Sequence, residues 1–155
     1  MGELVVGAET GWNNDSVPMD TTVVLLMAGL IFLVALVLGV WKYRQMMTSP
    51  GHTAHPYVDT AHRAALLYSF ATLLVAVFVQ LSAWPMLVDM AAAAVVIVFF
   101  VAAIATYVYH GHRQDTDNQL RHPVRGTGIF MGALILGEIG GFTVLLAGFI
   151  KVQVL

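Results

Sequence analysis

The sequence predicts an all-α integral membrane protein, a four-transmembrane-helix antiparallel bundle spanning residues 1–155 as one domain, with the N and C termini on the same, non-cytoplasmic side. Three observations predict it. First, 59% of the residues are hydrophobic and only 10% charged, with a mean hydropathy of +0.81; soluble domains run near half apolar and a quarter charged. Second, four apolar runs are each long enough to cross roughly 30 Å of hydrocarbon as helix. Third, the cations gather beside two of the loops and leave the opposite side nearly bare.

The first helix is predicted over about 21–43, an apolar run closed by the interfacial group Trp41, Lys42, Tyr43 and Arg44. The second covers about 61–83, with Asp59 or Thr60 as its N-cap, and stops at Trp84-Pro85. Only a tight turn separates it from the third helix, about 86–110, so these two are antiparallel neighbours. The fourth covers about 125–150. Within lipid a bare backbone finds no water, and helices satisfy it internally. Lys42, Arg44 and Arg63 flank the first loop and Arg113, Arg121 and Arg125 the third, against Lys151 alone on the other side. The positive-inside rule therefore places loops 1 and 3 in the cytoplasm and points to a prokaryotic inner (cytoplasmic) membrane.

Composition also excludes. A net charge of -2 without a basic stripe gives no nucleic-acid footprint. With no cysteine there is no disulfide, thiolate catalysis or Cys-ligated metal. Residues 1–20 lack the cationic segment of a secretory signal, and Val6 breaks the myristoylation pattern after Gly2. Glu138 and Gln80 alone interrupt the apolar interior, thin provision for a channel or transporter. No phosphate-cradling glycine motif occurs in the loops.

Three groups of residues carry the chemistry. All six histidines, His52, His55, His62, His110, His112 and His122, map to the predicted cytoplasmic end, and imidazole is the commonest metal ligand and an axial ligand to haem iron. Interfacial loops collect solvated histidines, but His62 opens an apolar helix, where a ligand meets neighbouring helices. His110 and His112 diverge by about 200° on a continuous helix and cannot share one metal. Tyr107 and Tyr109 lie at the depth of His62; a phenol donates a hydrogen bond to an oxygen gaining charge, although the interfacial aromatic belt also collects tyrosine. Glu138, near the middle of helix four, is expensive there. It reads either as a proton acceptor or as an interhelical hydrogen bond to Thr72 or Gln80. The Gly128–Gly132 and Gly137–Gly141 spacings are packing signals and point to an oligomer.

Ala61-His62, Ala105-Thr106-Tyr107 closing helix three, and Leu146-Ala147-Gly148-Phe149 closing helix four resemble the small four-helix membrane isomerases, the group of styrene oxide isomerase and hydroxylaminobenzene mutase. The resemblance covers about 52–149. It implies a homotrimer with haem b held between subunits and His62 as the axial ligand of the haem iron. It further implies ferric iron acting as a Lewis acid on a small apolar aromatic epoxide, with Tyr107 helping to orient it. The implied reaction is a redox-neutral rearrangement to a carbonyl compound, on a substrate expected to enter from the lipid bilayer. Those relatives carry an asparagine where this chain has Tyr68, so Tyr68 is the candidate catalytic replacement. A phenol still donates a hydrogen bond but lacks the amide's paired donor and acceptor.

Two other readings stay open. One is a non-catalytic haem-binding or structural subunit of a larger membrane complex, with His62 and His110 or His112 sharing a haem. The other follows a broader resemblance to the trimeric membrane enzymes of eicosanoid and glutathione metabolism. Their helix-two pattern is Arg-x-x-x-Asn-x-x-Glu, of which residues 63–70 supply the arginine and neither partner.

Overall fold

A computed structural model describes residues 17–118, 121 and 126–155. Four helices make up the described chain: α1 (Met19–Thr48), α2 (Pro56–Gln80), α3 (Met86–Arg113) and α4 (Thr127–Gln153), with no strand among the described residues. Each is long and apolar enough to cross a membrane, which fits a multi-pass membrane protein.

Helix boundaries follow the residues that cannot continue a helix. Pro18 precedes α1, Pro56 occupies the first turn of α2, and Pro85 caps α3; a proline's missing N–H costs nothing there. α4 starts behind Gly126, whose φ of 101° suits glycine. The second helix thus begins five residues before the 61 expected. Its N-cap is His55, whose Nδ1 accepts from Tyr57 N–H at 3.3 Å, and not Asp59 or Thr60. Asp59 instead pairs with Lys42 at 2.5 Å and Arg63 at 3.7 Å, tying the end of α1 to the start of α2.

Cross-helix contacts fix the directions. Gly39 meets His62 and Phe32 meets Phe70, so α1 and α2 run antiparallel. Tyr57 meets Tyr107 and Tyr68 meets Phe100, which makes α2 and α3 antiparallel as well. Gly141 lies on Val96 and Gly137 on Phe99, reversing α4 against α3. The start of α1 and the end of α4 therefore share one end of the bundle. α1 and α2 pack most extensively, through small buried residues such as Ala28, Ala35, Ala61 and Ala65 that let the axes approach.

Around this seam the outer surface is almost wholly apolar, with Leu26, Val37, Leu67, Val98 and Leu136 all exposed. In water that area would drive association; for a helix in lipid it is the ordinary solvent-facing surface. α4 is the least enclosed helix, burying only Gly141, Leu145 and Gly148 among its described residues. Its far end is pinned to the α2–α3 turn, where Trp84 Nε1 donates to the Val144 carbonyl at 2.9 Å and Lys151 lies over the Trp84 ring at 4.7 Å.

Candidate functional site

His62 sits in the second turn of α2, against α1. Its Nδ1 lies 2.9 Å from the Ala35 carbonyl oxygen. A carbonyl only accepts, so Nδ1 carries the hydrogen, and in the neutral ring Nε2 is the nitrogen with the lone pair. The ring packs against Gly39, where an added Cβ would stand 2.9 Å from Cε1. Further along the same α1–α2 edge runs an apolar groove of about 310 Å³ lined by Leu25, Gly29, Phe32, Ser69, Phe70 and Leu73.

Tyr68 and Tyr107 come together elsewhere. With Thr60, Arg63, Ala64 and Leu67 they line a cavity of about 350 Å³. Tyr68 stacks on Phe100 of α3 with centroids 4.2 Å apart and planes within 9°. Tyr107 stacks on Tyr57 at 6.1 Å. Both phenols are thus fixed by flat aromatic neighbours while facing a common space. His62 does not join them: six residues along α2 turn Tyr68 roughly 120° away from it. The three residues expected to act on one substrate form two sites in a single chain, one on the α1 side of α2 and one on the α3 side.

Two of the remaining described histidines, His55 and His110, build an aromatic strap between the loops. His55 stacks on Tyr57 at 6.1 Å, and His110 lies against the same ring at 5.2 Å. His110 Nδ1 donates to Asp115 at 2.9 Å, and His55 Nε2 stands 3.6 Å from Asp117. That hydrogen bond holds the Asp115 carboxyl below its usual range. His52 rests on the Met46 carbonyl at 3.3 Å. α3 stays helical through Arg113, so His110 and His112 diverge as expected. Among the described residues no group of three or more His, Asp or Glu is placed to hold a metal ion; His122 lies outside them.

Glu138 lacks both partners expected of it. The Thr72 hydroxyl donates to the Tyr68 carbonyl one turn back at 2.7 Å, and Gln80 is exposed at the end of α2. Glu138 Oε1 is shielded and without a hydrogen bond among the described residues. Its carboxyl is close enough to Tyr68 and Tyr107 to act on both electrostatically.

Sequence reasoning missed what seats His62, the Ala35 carbonyl and Gly39, since neither carries a chemical signal of its own. It used Arg63 for topology and for an incomplete helix-two pattern, and did not place it with the tyrosines, whereas Arg63 lines the two-tyrosine cavity; a cation one residue after the key histidine was the available sign. Compared with family models, curated proteins and solved structures, the chain finds no match.

Proposed function

We propose that this chain is a membrane-embedded isomerase that holds haem b through His62 and rearranges a small apolar aromatic epoxide to a carbonyl compound. The observation that carries the reading is the hydrogen bond from His62 Nδ1 to the Ala35 carbonyl. Metal-ligating histidines commonly donate their second ring N–H to such a group, which fixes the tautomer and raises the basicity of the ligating nitrogen. His62 is therefore of the right chemical form to hold a haem iron, and an apolar groove runs further along the same α1–α2 edge. When bound, haem supplies a ferric Lewis acid to the epoxide oxygen.

The chain's own part is orientation and hydrogen bonding. Tyr68 and Tyr107 present phenol donors toward an oxygen that gains negative charge as its bond to carbon breaks. A hydride then shifts between neighbouring carbons as the carbonyl forms, so no external electrons are needed. Ala64 and Leu67 in the cavity wall give an aromatic ring from the bilayer an apolar seat beside the two phenols. Since His62 and the tyrosines lie on different faces of α2, the reading carries a homo-oligomer, a trimer by resemblance, in which one copy's His62 faces its neighbour's tyrosines. The six cations flanking loops 1 and 3 favour a cytoplasmic location for the His62 end, with both termini outside.

A second reading is favoured by Arg63, which places a guanidinium beside two phenols in one cavity: an enzyme of the glutathione-metabolising type, binding an anionic thiol peptide there. The visible spectrum of the detergent-purified protein, oxidised and then reduced with dithionite, separates the two. The isomerase reading expects a Soret band near one haem per chain, lost in His62→Ala with the oligomer intact. Colourless protein from haem-replete cells, or full haem in His62→Ala, would overturn it. Saturable glutathione binding lost in Arg63→Ala would then support the second.

A further inference from the structure

Glu138 faces a cavity of about 370 Å³ whose walls include Leu74, Val96, Phe100, Ile139, Phe142 and Glu138 itself. It lies 11 residues into the 27-residue α4, which puts it roughly 17 Å along a helix of about 40 Å, near mid-membrane. A carboxylate at that depth is costly and requires a partner or a proton. The protein supplies no partner: among the described residues Glu138 makes no ion pair, and Oε1 is shielded with no hydrogen bond. The polar groups that feel its charge are the phenols of Tyr68 and Tyr107, while Thr143 spends its hydroxyl on the Ile139 carbonyl at 2.6 Å. No protein cation lines the cavity.

The walls suit a particular complement. Phe100 is held by its stack on Tyr68 at 4.2 Å and Phe142 by its edge contact with Phe78 at 5.1 Å, so two fixed aromatic rings line the same cavity as the carboxylate. Aromatic faces attract cations, more strongly where water is excluded. Leu74 and Ile139 at the rim are exposed on the lipid-facing surface, which leaves a lateral entrance for a ligand dissolved in the bilayer. We propose that Glu138 and this cavity form a binding site for a lipophilic organic ammonium ion, whose charge pairs with the carboxylate and whose apolar body fills the α2–α4 cleft. The proposal is independent of haem and of His62.

The test uses the full chain in detergent and the fluorescent amine 1-naphthylmethylamine, with 1-methylnaphthalene as its neutral counterpart. Wild type is expected to bind the amine saturably and at least tenfold more tightly than the neutral ring. Glu138→Gln, which keeps the shape and removes the charge, should weaken the amine at least tenfold and leave the neutral ring unchanged. Ile139→Trp at the rim should weaken amine binding with Glu138 in place. Equal binding of the amine by wild type and Glu138→Gln, or equal binding of the two ligands by wild type, would overturn the proposal. Haem content measured on the same samples reports the isomerase reading separately.

Discussion

Replacing Gly39 with alanine tests how α1 holds the His62 ring. The added Cβ would stand 2.9 Å from His62 Cε1 and 3.2 Å from Nδ1. Carbon atoms pack best near 3.5–4.0 Å, so the ring must retreat by roughly 0.5–1 Å. A shift of that size along the bond stretches the 2.9 Å contact with the Ala35 carbonyl to about 3.4–3.9 Å, where it is weak or lost. The bond is worth about 1 kcal/mol to the fold, and alanine returns nearly as much in helix propensity, about 0.8–1 kcal/mol over glycine. The two offset, so the thermal midpoint should barely change. Ligation is not protected in this way, because loss of a histidine's outer hydrogen bond lowers metal affinity about 10–100-fold. Titration of apoprotein with haem b, followed at the Soret band, should therefore show Gly39→Ala binding at least tenfold more weakly than wild type. Gly140→Ala in α4 is the control: nothing lies within 4 Å of its new Cβ, and it should titrate as wild type. Wild-type affinity in Gly39→Ala, with binding lost in His62→Ala, would refute the argument that this seat prepares the histidine.

Two further perturbations probe the bundle and its loops. At Gly148 a side chain would run into Ser82 and Trp84, so Gly148→Leu should lever α4 off the α2–α3 turn and cost about 1–3 kcal/mol. A lowered thermal midpoint in detergent checks this, and an unchanged one would show that α4 does not seat there. In loop 3, His110 holds the Asp115 carboxyl below its ordinary value of 3.8. A depressed folded pKa contributes order above the ordinary carboxylate range and loses it as pH falls through the folded value. Exchange of amides 114–118 should therefore quicken from about pH 6 to about pH 3 beyond the intrinsic rate change, and Asp115→Asn should abolish that difference.

Hydropathy and charge made four helices, their order and the tight α2–α3 turn legible, because a span's apolar length is a property of one segment. What pairs across segments was not. Asp59 is not the cap because Pro56, the better helix-start signal, already opens α2; Asp59 therefore falls on the first turn and faces Lys42. The proposed Glu138–Thr72 bond failed because a threonine in a helix satisfies itself on the preceding turn. His62 was legible as a residue and its environment was not: Gly39 and Ala35 acquire meaning only once α1 and α2 are set in register.

The separation of His62 from Tyr68 and Tyr107 has a consequence for the isomerase reading that single variants miss. His62 is bonded to α1 and Tyr68 is stacked on α3, so one chain cannot bring both against one small epoxide. Ligand and phenols converge only if the pair is drawn from two copies. In a closed ring every interface repeats the same pairing. His62→Ala chains still supply intact tyrosines, and Tyr107→Phe chains still supply an intact His62. Co-expressed with different tags and assembled at random, about a quarter of the interfaces recover both intact partners. Selection for both tags leaves only mixed three-membered rings, in each of which one interface pairs the intact partners, so the doubly tagged sample should turn over substrate at up to about a third of the wild-type rate, above the mean of the two variants assayed alone. If His62 and Tyr107 served one site within a chain, no mixed ring would contain an intact site, and activity would stay at that mean. Such a result would leave His62 a place as a haem ligand and remove the phenols from its chemistry.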